Sequence, residues 1–338
     1  MTGATQAWLA LMACAAVIGV AGAKLAQYAD IIAARTGWSR GWIGLILLAT
    51  VTSLPELVNG VTAVTVAGVP DIAVGDVLGS CVLNLAVLVI LDFLYRKASV
   101  YRAASQGHIL SAGFGAALIG FVGVNLLAAD AGVTPALGHI GAYTPVLAVL
   151  YPIAARAVFQ YERAQAATAV QQVAELYPGV PLKAAVARFA VAAALVFAAG
   201  AWLPFVAADL AVAMNWQQSF VGTVFVAVAT SLPELAVTIG ALRIGALDLA
   251  IANLLGSNLF NIFILAIVDA FFLPGPLLSH VSKVHAVSAL SAVTMTGLVI
   301  VGLLYRPETR VFRAVGWTSL GLFALYLLNA YIVYLHTR

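Results

Sequence analysis

Long apolar runs alternate with short polar punctuation along nearly the whole chain. Apolar stretches fall at about 6–34, 41–67, 71–95, 105–127, 140–160, 184–213, 219–244, 248–273, 283–304 and 311–335. A helix crosses a hydrocarbon core of about 30 Å with roughly 20 apolar residues. The pattern therefore predicts an all-α polytopic membrane protein with ten transmembrane helices. The first and sixth runs are longest, and are expected to be tilted or broken. The sizeable polar connection is 161–183, YERAQAATAVQQVAELYPGVPLK, which reads as a helical linker closed by Pro178-Gly179 and Pro181.

Composition agrees. Of 338 residues, 63% are hydrophobic and 9% charged, against about 25% charged in soluble domains. The net charge of +3 is too small to suggest a nucleic-acid partner. The placement of the positive charges is more informative. Arg35, Arg40, Arg96, Lys97, Arg102, Arg156, Arg163, Lys183, Arg188, Arg243, Arg306, Arg310 and Arg313 all fall on one side of a ten-span layout, while Lys283 and Arg338 fall on the other. Positive residues mark the cytoplasmic loops. Both termini are thus expected outside, with 161–183 cytoplasmic, in a plasma or inner membrane. The N-terminus lacks the basic start of a signal peptide and reads as the first span. Cys14 and Cys81 lie in apolar runs and supply no disulfide framework or metal motif.

The chain repeats itself. TSLPEL at 52–57 recurs at 230–235, an offset of 178, at which Gly22 matches Gly200, Trp38 matches Trp216, Gly44 matches Gly222 and Ala49 matches Ala227. After a one-residue gap, DIAVGDVLGSCVLNLAVLVILD at 71–92 aligns with DLAIANLLGSNLFNIFILAIVD at 248–269, now at an offset of 177. This is duplication. The offset covers five predicted crossings, an odd number, so the second copy is expected upside down relative to the first. The expected organisation is a first repeat over 1–160 (motif 50–92), the linker 161–183, and a second repeat over 184–338 (motif 228–269). Inverted repeats with broken helices near the midplane are a transporter arrangement.

Within the repeats, polar residues sit where lipid-spanning helices have their centres. Thr52, Ser53 and Glu56 share a helix face by their spacing, and Ser80 and Asn84 share another on the next span. Thr230, Ser231, Glu234, Ser257 and Asn261 are their counterparts. A charge at a helix centre in the membrane costs about 2.5–3.5 kcal/mol even on insertion scales, so Glu56 and Glu234 need neutralising. No lysine or arginine at that depth does so, which leaves a bound cation or protons. Pro55 and Pro233 lack an N–H, so the carbonyls of Val51 and Ala229 lose their helical partners and become further candidate oxygens. Carboxylates, carbonyls, hydroxyls and amides together suit a hard cation such as calcium. No histidine or cysteine occupies both symmetric positions, which argues against zinc or copper. Gly79-Ser80 and Gly256-Ser257 are expected to allow close helix approach.

These residues resemble the alpha-repeats of the calcium/cation antiporter superfamily, in particular its prokaryotic sodium/calcium exchanger branch. The family pattern is roughly GTSLPE followed by GN-x-x-GSN-x-x-N/D; here it reads TVTSLPE…GDVLGSCVLN and AVATSLPE…ANLLGSNLFN. The resemblance covers both repeats, about half of the chain, and the ten-span layout extends it over nearly all. It implies a midplane site on spans 2, 3, 7 and 8, with spans 1 and 6 sliding across it to alternate access. It further implies that sodium entering down its gradient drives calcium out. By position, Glu56 and Glu234 would be the calcium carboxylates, and Thr52, Ser53, Ser80, Asn84, Thr230, Ser231, Ser257 and Asn261 would complete the calcium and sodium sites. Asn261 stands where close prokaryotic relatives often carry aspartate. Val51 and Ala229 replace the glycine before threonine, Cys81 replaces the asparagine of GSN, and Asp76 replaces that of GN. Asp76 is a possible third acid, set against the plainer reading of an aspartate favoured by a helix N-terminus.

The remaining polar residues read as structural. Asp71 and Asp248 are expected as helix N-caps, and Asp92 and Asp269 as interfacial residues toward opposite membrane faces. His108, His139, His280, His285 and His336 are expected to be solvated at span ends. No nucleophile–base pair or cofactor motif points to an enzyme, and no cofactor is expected. The partners are small inorganic cations and the bilayer, with the chain as a monomer. Three readings stay open: calcium/sodium antiport, cation/proton exchange at the same site, and a cation-binding relative that does not transport.

Overall fold

The computed structural model describes residues 3–166, 179–213, 226–308, 310–311 and 315–336. Most of the connection 161–183, the start of the run 219–244, Trp216, Gly222, Arg313 and Arg338 lie outside the described residues.

Helix dominates, as the apolar pattern predicts. The helices are α1 (Gly3–Thr36), α2 (Arg40–Trp42), α3 (Ala49–Thr52), α4 (Leu54–Thr62), α5 (Pro70–Leu94), α6 (Val100–Ala103), α7 (Gly107–Asp130), α8 (Tyr143–Ala166), α9 (Leu182–Ala213), α10 (Val226–Thr230), α11 (Leu232–Arg243), α12 (Leu247–Phe271), α13 (Val284–Tyr305) and α14 (Trp317–His336). Eight segments among the described residues are long and apolar enough to cross a membrane. They are Thr5–Thr36, Arg40–Ala67, Pro70–Leu94, Gly107–Asp130, Leu182–Leu203, Leu247–Phe271, Val284–Tyr305 and Trp317–His336. The runs predicted at 140–160 and 219–244 coincide with α8, which carries Arg156, Glu162 and Arg163, and with the interrupted pair α10–α11.

Local chemistry sets the boundaries. Gly37 takes φ 74° after α1 and its N–H closes onto Ala33 O at 3.1 Å, the left-handed stop that glycine permits. Ser39 Oγ then accepts from Trp42 N at 3.0 Å to start α2. Pro70 opens α5 where its missing N–H costs nothing. The segment 40–67 is not one regular helix. Ile43–Leu48 and Ala63–Ala67 are π-helical, and between them Ser53 turns the chain with φ −93° and ψ 7°. Ser231 makes the equivalent break between α10 and α11 at φ −86° and ψ 3°. The prolines at 55 and 233 thus begin new helices rather than bend old ones.

Packing divides the chain into two compact units, one of residues 1–55, 103–108 and 155–257, the other of 56–102, 109–154 and 258–338. In the first, α1 lies against α9 and α11. Ile18, Ala199, Leu203 and Ala229 form a buried apolar cluster with Leu11, Cys14, Leu232 and Ala236 around it. Small residues bring α1 and α11 together: a Cβ on Gly240 would stand 2.7 Å from Ala23 Cα. Asp30 is fully buried and receives both Arg40 Nε at 2.6 Å and Nη2 at 3.0 Å, a bidentate pair.

In the second unit, α5 packs on α13 and α14. Here Asp92 and Asp269, expected as interfacial residues, are fully buried within the protein. Asp92 accepts from Val100 N at 3.0 Å, Gly316 N at 2.7 Å and Ser319 Oγ at 2.9 Å. Asp269 accepts from Leu277 N at 2.7 Å, Gly141 N at 2.9 Å, Thr144 Oγ1 at 2.5 Å and Tyr143 Oη at 2.7 Å. Val100 and Leu277 are repeat mates at the offset of 177, and Gly141 and Gly316, like Thr144 and Ser319, hold equivalent places against the two aspartates at an offset of 175. Each aspartate ties a helix end to the next loop and to a later helix start, so duplication has kept a complete clamp. Two short antiparallel hairpins, β1–β2 (Ala136–Leu137 with Ile140–Gly141) and β3–β4 (Arg310–Val311 with Val315–Gly316), present the clamped glycines. The apolar pattern contained no sign of them, since each strand has two residues. Tyr101 donates or accepts across to Ser319 at 3.1 Å, and burial pushes its phenol above the ordinary range.

Candidate functional site

The polar residues of the duplicated motif are buried almost without exception. In the first unit, Thr52, Ser53, Thr230, Glu234, Asn253 and Ser257 have no exposed surface, and Ser231 is 2% exposed. Ser53 Oγ donates to Glu234 Oε1 at 3.0 Å, and Ser257 Oγ reaches the same oxygen at 3.4 Å. Thr52 Oγ1 lies 3.3 Å from Ser257 Oγ and 3.5 Å from Asn253 Oδ1. Three predicted site residues, from α3, the turn after it and α12, thus surround the carboxylate that α11 presents. The carbonyl-bearing Ala229 is buried and Val51 half-buried.

Glu234 is unusual for a buried acid. Its Oε2 has no hydrogen-bond partner, and no lysine, arginine or histidine forms an ion pair with it among the described residues. Isolated buried carboxylates are strongly unfavourable unless a cation, a proton or a full set of donors meets them. Hydroxyls here supply one oxygen only. The arrangement can accept a hard cation or a proton.

The second unit holds Glu56, Ser80, Asn84 and Asn261, all 1% exposed or less, together with Cys81 and Asn258. Asn84 Nδ2 donates to Asn258 Oδ1 at 3.1 Å, and Asn258 Nδ2 donates to Cys81 O at 3.1 Å. Glu56 lies within electrostatic reach of Cys81 on α5. Asn261 has only the Cys81 thiol beside its amide, and Asn84 Oδ1 has no hydrogen-bond partner. These are oriented amides with spare capacity, again suited to a hard ion. Asp76, the possible third acid, is 6% exposed and accepts from Asn59 Nδ2 at 2.6 Å.

The structure adds residues that the motif reading left out. Asn253 Nδ2 reaches Glu234 O at 3.4 Å and Thr238 Oγ1 at 3.3 Å, bracing α11 against α12. Its signal was the asparagine of the GN element, retained only in the second copy, as Ala252-Asn253. Gly256 permits the contact expected of it, because a Cβ there would sit 2.4 Å from Leu45 O. Gly79 does not, since nothing lies within 4 Å of its Cβ position. Gly256→Ala is expected to destabilise the protein by about 1–3 kcal/mol, as overpacking against backbone does, whereas Gly79→Ala is expected to be neutral or stabilising. Thermal unfolding of the two variants in detergent checks the contrast.

Asp71 and Asp248 are corrected from N-caps. Asp248 Oδ1 accepts from Ser105 N at 2.8 Å and pairs with His108 Nε2 at 2.9 Å. In the other copy Asp71 Oδ1 accepts from Ser282 N at 2.7 Å and pairs with His285 Nε2 at 2.9 Å. His108 and His285 are themselves repeat mates, at an offset of 177. They are 1% and 12% exposed, so neither is solvated as expected. The helices carrying Ser80, Asn84, Ser257 and Asn261 therefore begin at duplicated histidine–aspartate ties.

With this geometry in hand, comparison with known proteins is direct. The family described as sodium/calcium exchanger protein matches residues 6–154 and 184–333, once over each half. The inner membrane protein YrbG of Escherichia coli K12 is 26% identical over 289 residues, covering 86% of both chains. The sodium/calcium exchanger MaX1 of Methanosarcina acetivorans is 48% identical over 54 residues, 16% of this chain and 15% of that one. The solved structure of the sodium-calcium exchanger NCX_Mj, soaked with sodium and calcium, superposes with a TM-score of 0.73 at 20% identity, covering 97% of this chain and 98% of the other. The fold is shared at that distance, and the double match across both halves means that this chain belongs to the sodium/calcium exchanger protein family of multi-pass membrane antiporters.

Proposed function

We propose that the protein exchanges calcium for sodium by alternating access. Its ten spans form two inverted five-helix repeats, 1–160 and 184–338, with both termini outside and 161–183 cytoplasmic. Glu56 and Glu234 supply the charge that balances the ion. The hydroxyls of Thr52, Ser53, Ser80, Thr230, Ser231 and Ser257, the amides of Asn84 and Asn261, and the carbonyls of Val51 and Ala229 complete the coordination. The observation that carries this reading is Glu234: fully buried, with one oxygen bare and no cationic side chain paired to it. The name of MaX1 and the fold of NCX_Mj support the choice of ions.

Two carboxylates balance one calcium ion, two sodium ions or two protons. Asn261 stands where an acid would add a further charge, and this favours a second reading, cation/proton exchange. Purified protein in liposomes loaded with a calcium-sensitive dye separates the two. An outward sodium gradient is expected to drive calcium uptake, with no uptake driven by an imposed pH gradient. The reverse result selects proton exchange. No uptake under either gradient, despite measurable calcium binding, selects a non-transporting relative.

A further inference from the structure

An open groove of about 690 Å³ runs between α1 and α9. Val17, Val20, Ala21, Lys24 and Tyr28 line it from one side, and Arg188, Val191, Ala192 and Leu195 from the other. Both sets follow the spacing of a single helical face. Ala21 and Ala192, 6% and 5% exposed, make a floor, while Val17, Val20, Val191 and Leu195, 40–69% exposed, make the walls. The two helices run antiparallel here, because Ile18 packs at the level of Ala199 and Leu203 while Tyr28 faces the part of α9 nearer Leu182. The groove thus has an apolar end at Val17 and Leu195 and a polar end at Lys24, Tyr28 and Arg188.

The two cations at the polar end lack anionic partners. Lys24 Nζ donates to the neutral Gln27 Oε1 at 3.2 Å, and no carboxylate pairs with Lys24 or Arg188 among the described residues. Both side chains are exposed. Depth matters next. Arg188 lies six residues into α9, about 9 Å from its end at 1.5 Å per residue. With α9, 32 residues long, centred on a hydrocarbon core of about 30 Å, that is the hydrocarbon boundary. Lys24 lies about 18 Å from the end of α1, several ångströms below that boundary, where a long stem can carry its ammonium upward. An apolar trough rising to two unpaired cations at headgroup depth matches a lipid with a negative head.

We propose that this groove binds one anionic phospholipid, its phosphate between Lys24 and Arg188 and one acyl chain over the alanine floor. Basic pockets between membrane helices hold anionic headgroups in this way. The groove selects by charge, since a zwitterionic head brings its own cation toward Lys24 and Arg188. The site is independent of which ions the protein exchanges.

Native mass spectrometry of the full-length protein, titrated with phosphatidylglycerol or phosphatidylcholine of matched chains, tests it. The wild type is expected to bind phosphatidylglycerol about tenfold more tightly, because two basic residues attract the anionic head and salt screens that attraction only in part. Lys24→Gln/Arg188→Gln is expected to bind both lipids alike, at the phosphatidylcholine level, while Lys24→Arg/Arg188→Lys keeps the preference. Equal binding of the two lipids by the wild type, or a preference that survives the double glutamine variant, overturns the proposal. Thermal unfolding in the same detergent confirms that the variants are folded, and Arg188→Gln alone, expected to lose about half of the preference on a logarithmic scale, serves if the double variant is not.

Discussion

Replacing Glu234 with glutamine is expected to lower gradient-driven calcium uptake in liposomes by at least about a hundredfold, because removing one partner of a buried charge pair costs about 3–5 kcal/mol. The substitution keeps the shape and leaves a carbonyl oxygen for Ser53 Oγ, which donates to Glu234 at 3.0 Å. It removes only the charge. The stability effect has the opposite sign. Without cations, the wild type buries a carboxylate whose Oε2 meets no donor, so the glutamine variant is expected to unfold at the same or a higher temperature. Added calcium is expected to raise the unfolding temperature of the wild type and not of the variant, since only a state that binds the ion gains from it. Uptake at the wild-type rate in the variant would show that this carboxylate is not an ion ligand, and the proposed chemistry would fall with it.

Asp269→Asn is expected to destabilise the protein by about 3 kcal/mol or more, the cost of leaving buried donors facing the wrong group. Asp269 accepts four hydrogen bonds, from Leu277 N, Gly141 N, Thr144 Oγ1 and Tyr143 Oη. An asparagine has one accepting oxygen and turns two N–H donors toward groups that also donate. Asp92→Asn is expected to cost somewhat less, because Asp92 accepts three such bonds. Thermal unfolding of both variants in detergent measures this directly. An unchanged unfolding temperature for Asp269→Asn would mean that the clamp contributes nothing that water or a loop shift does not replace.

The sequence was most legible where apolar length and duplication speak together. Predicted runs such as 71–95 and 248–273 differ from Pro70–Leu94 and Leu247–Phe271 by only one or two residues. Glu56 and Glu234 stood out as charges within the runs 41–67 and 219–244, and both are fully buried. The clamps and ties were invisible for a physical reason. Asp92, Asp269, Asp71 and Asp248 look interfacial by position alone, and their partners lie in short loops whose path no hydropathy pattern fixes. His108 pairs with a residue 140 positions away, and neither residue carries a local signal of the other. The repeat alignment did contain a clue: His108 and His285 share the offset that relates the aspartates they hold.

One irregularity has a history. The alignment offset between the two halves drops from 178 to 177 somewhere between Leu57 and Asp71. In that interval the first half has the π-helical turn Ala63–Ala67, while its counterpart α11 runs as plain α-helix to Arg243. A π turn is an α-helix that has absorbed one surplus residue. The two halves therefore carry the mark of a single-codon event after their ancestor doubled. The extra residue was stored within the coil of one span, so that the helix from Asp71 to Asp92 stayed in step with its sister copy.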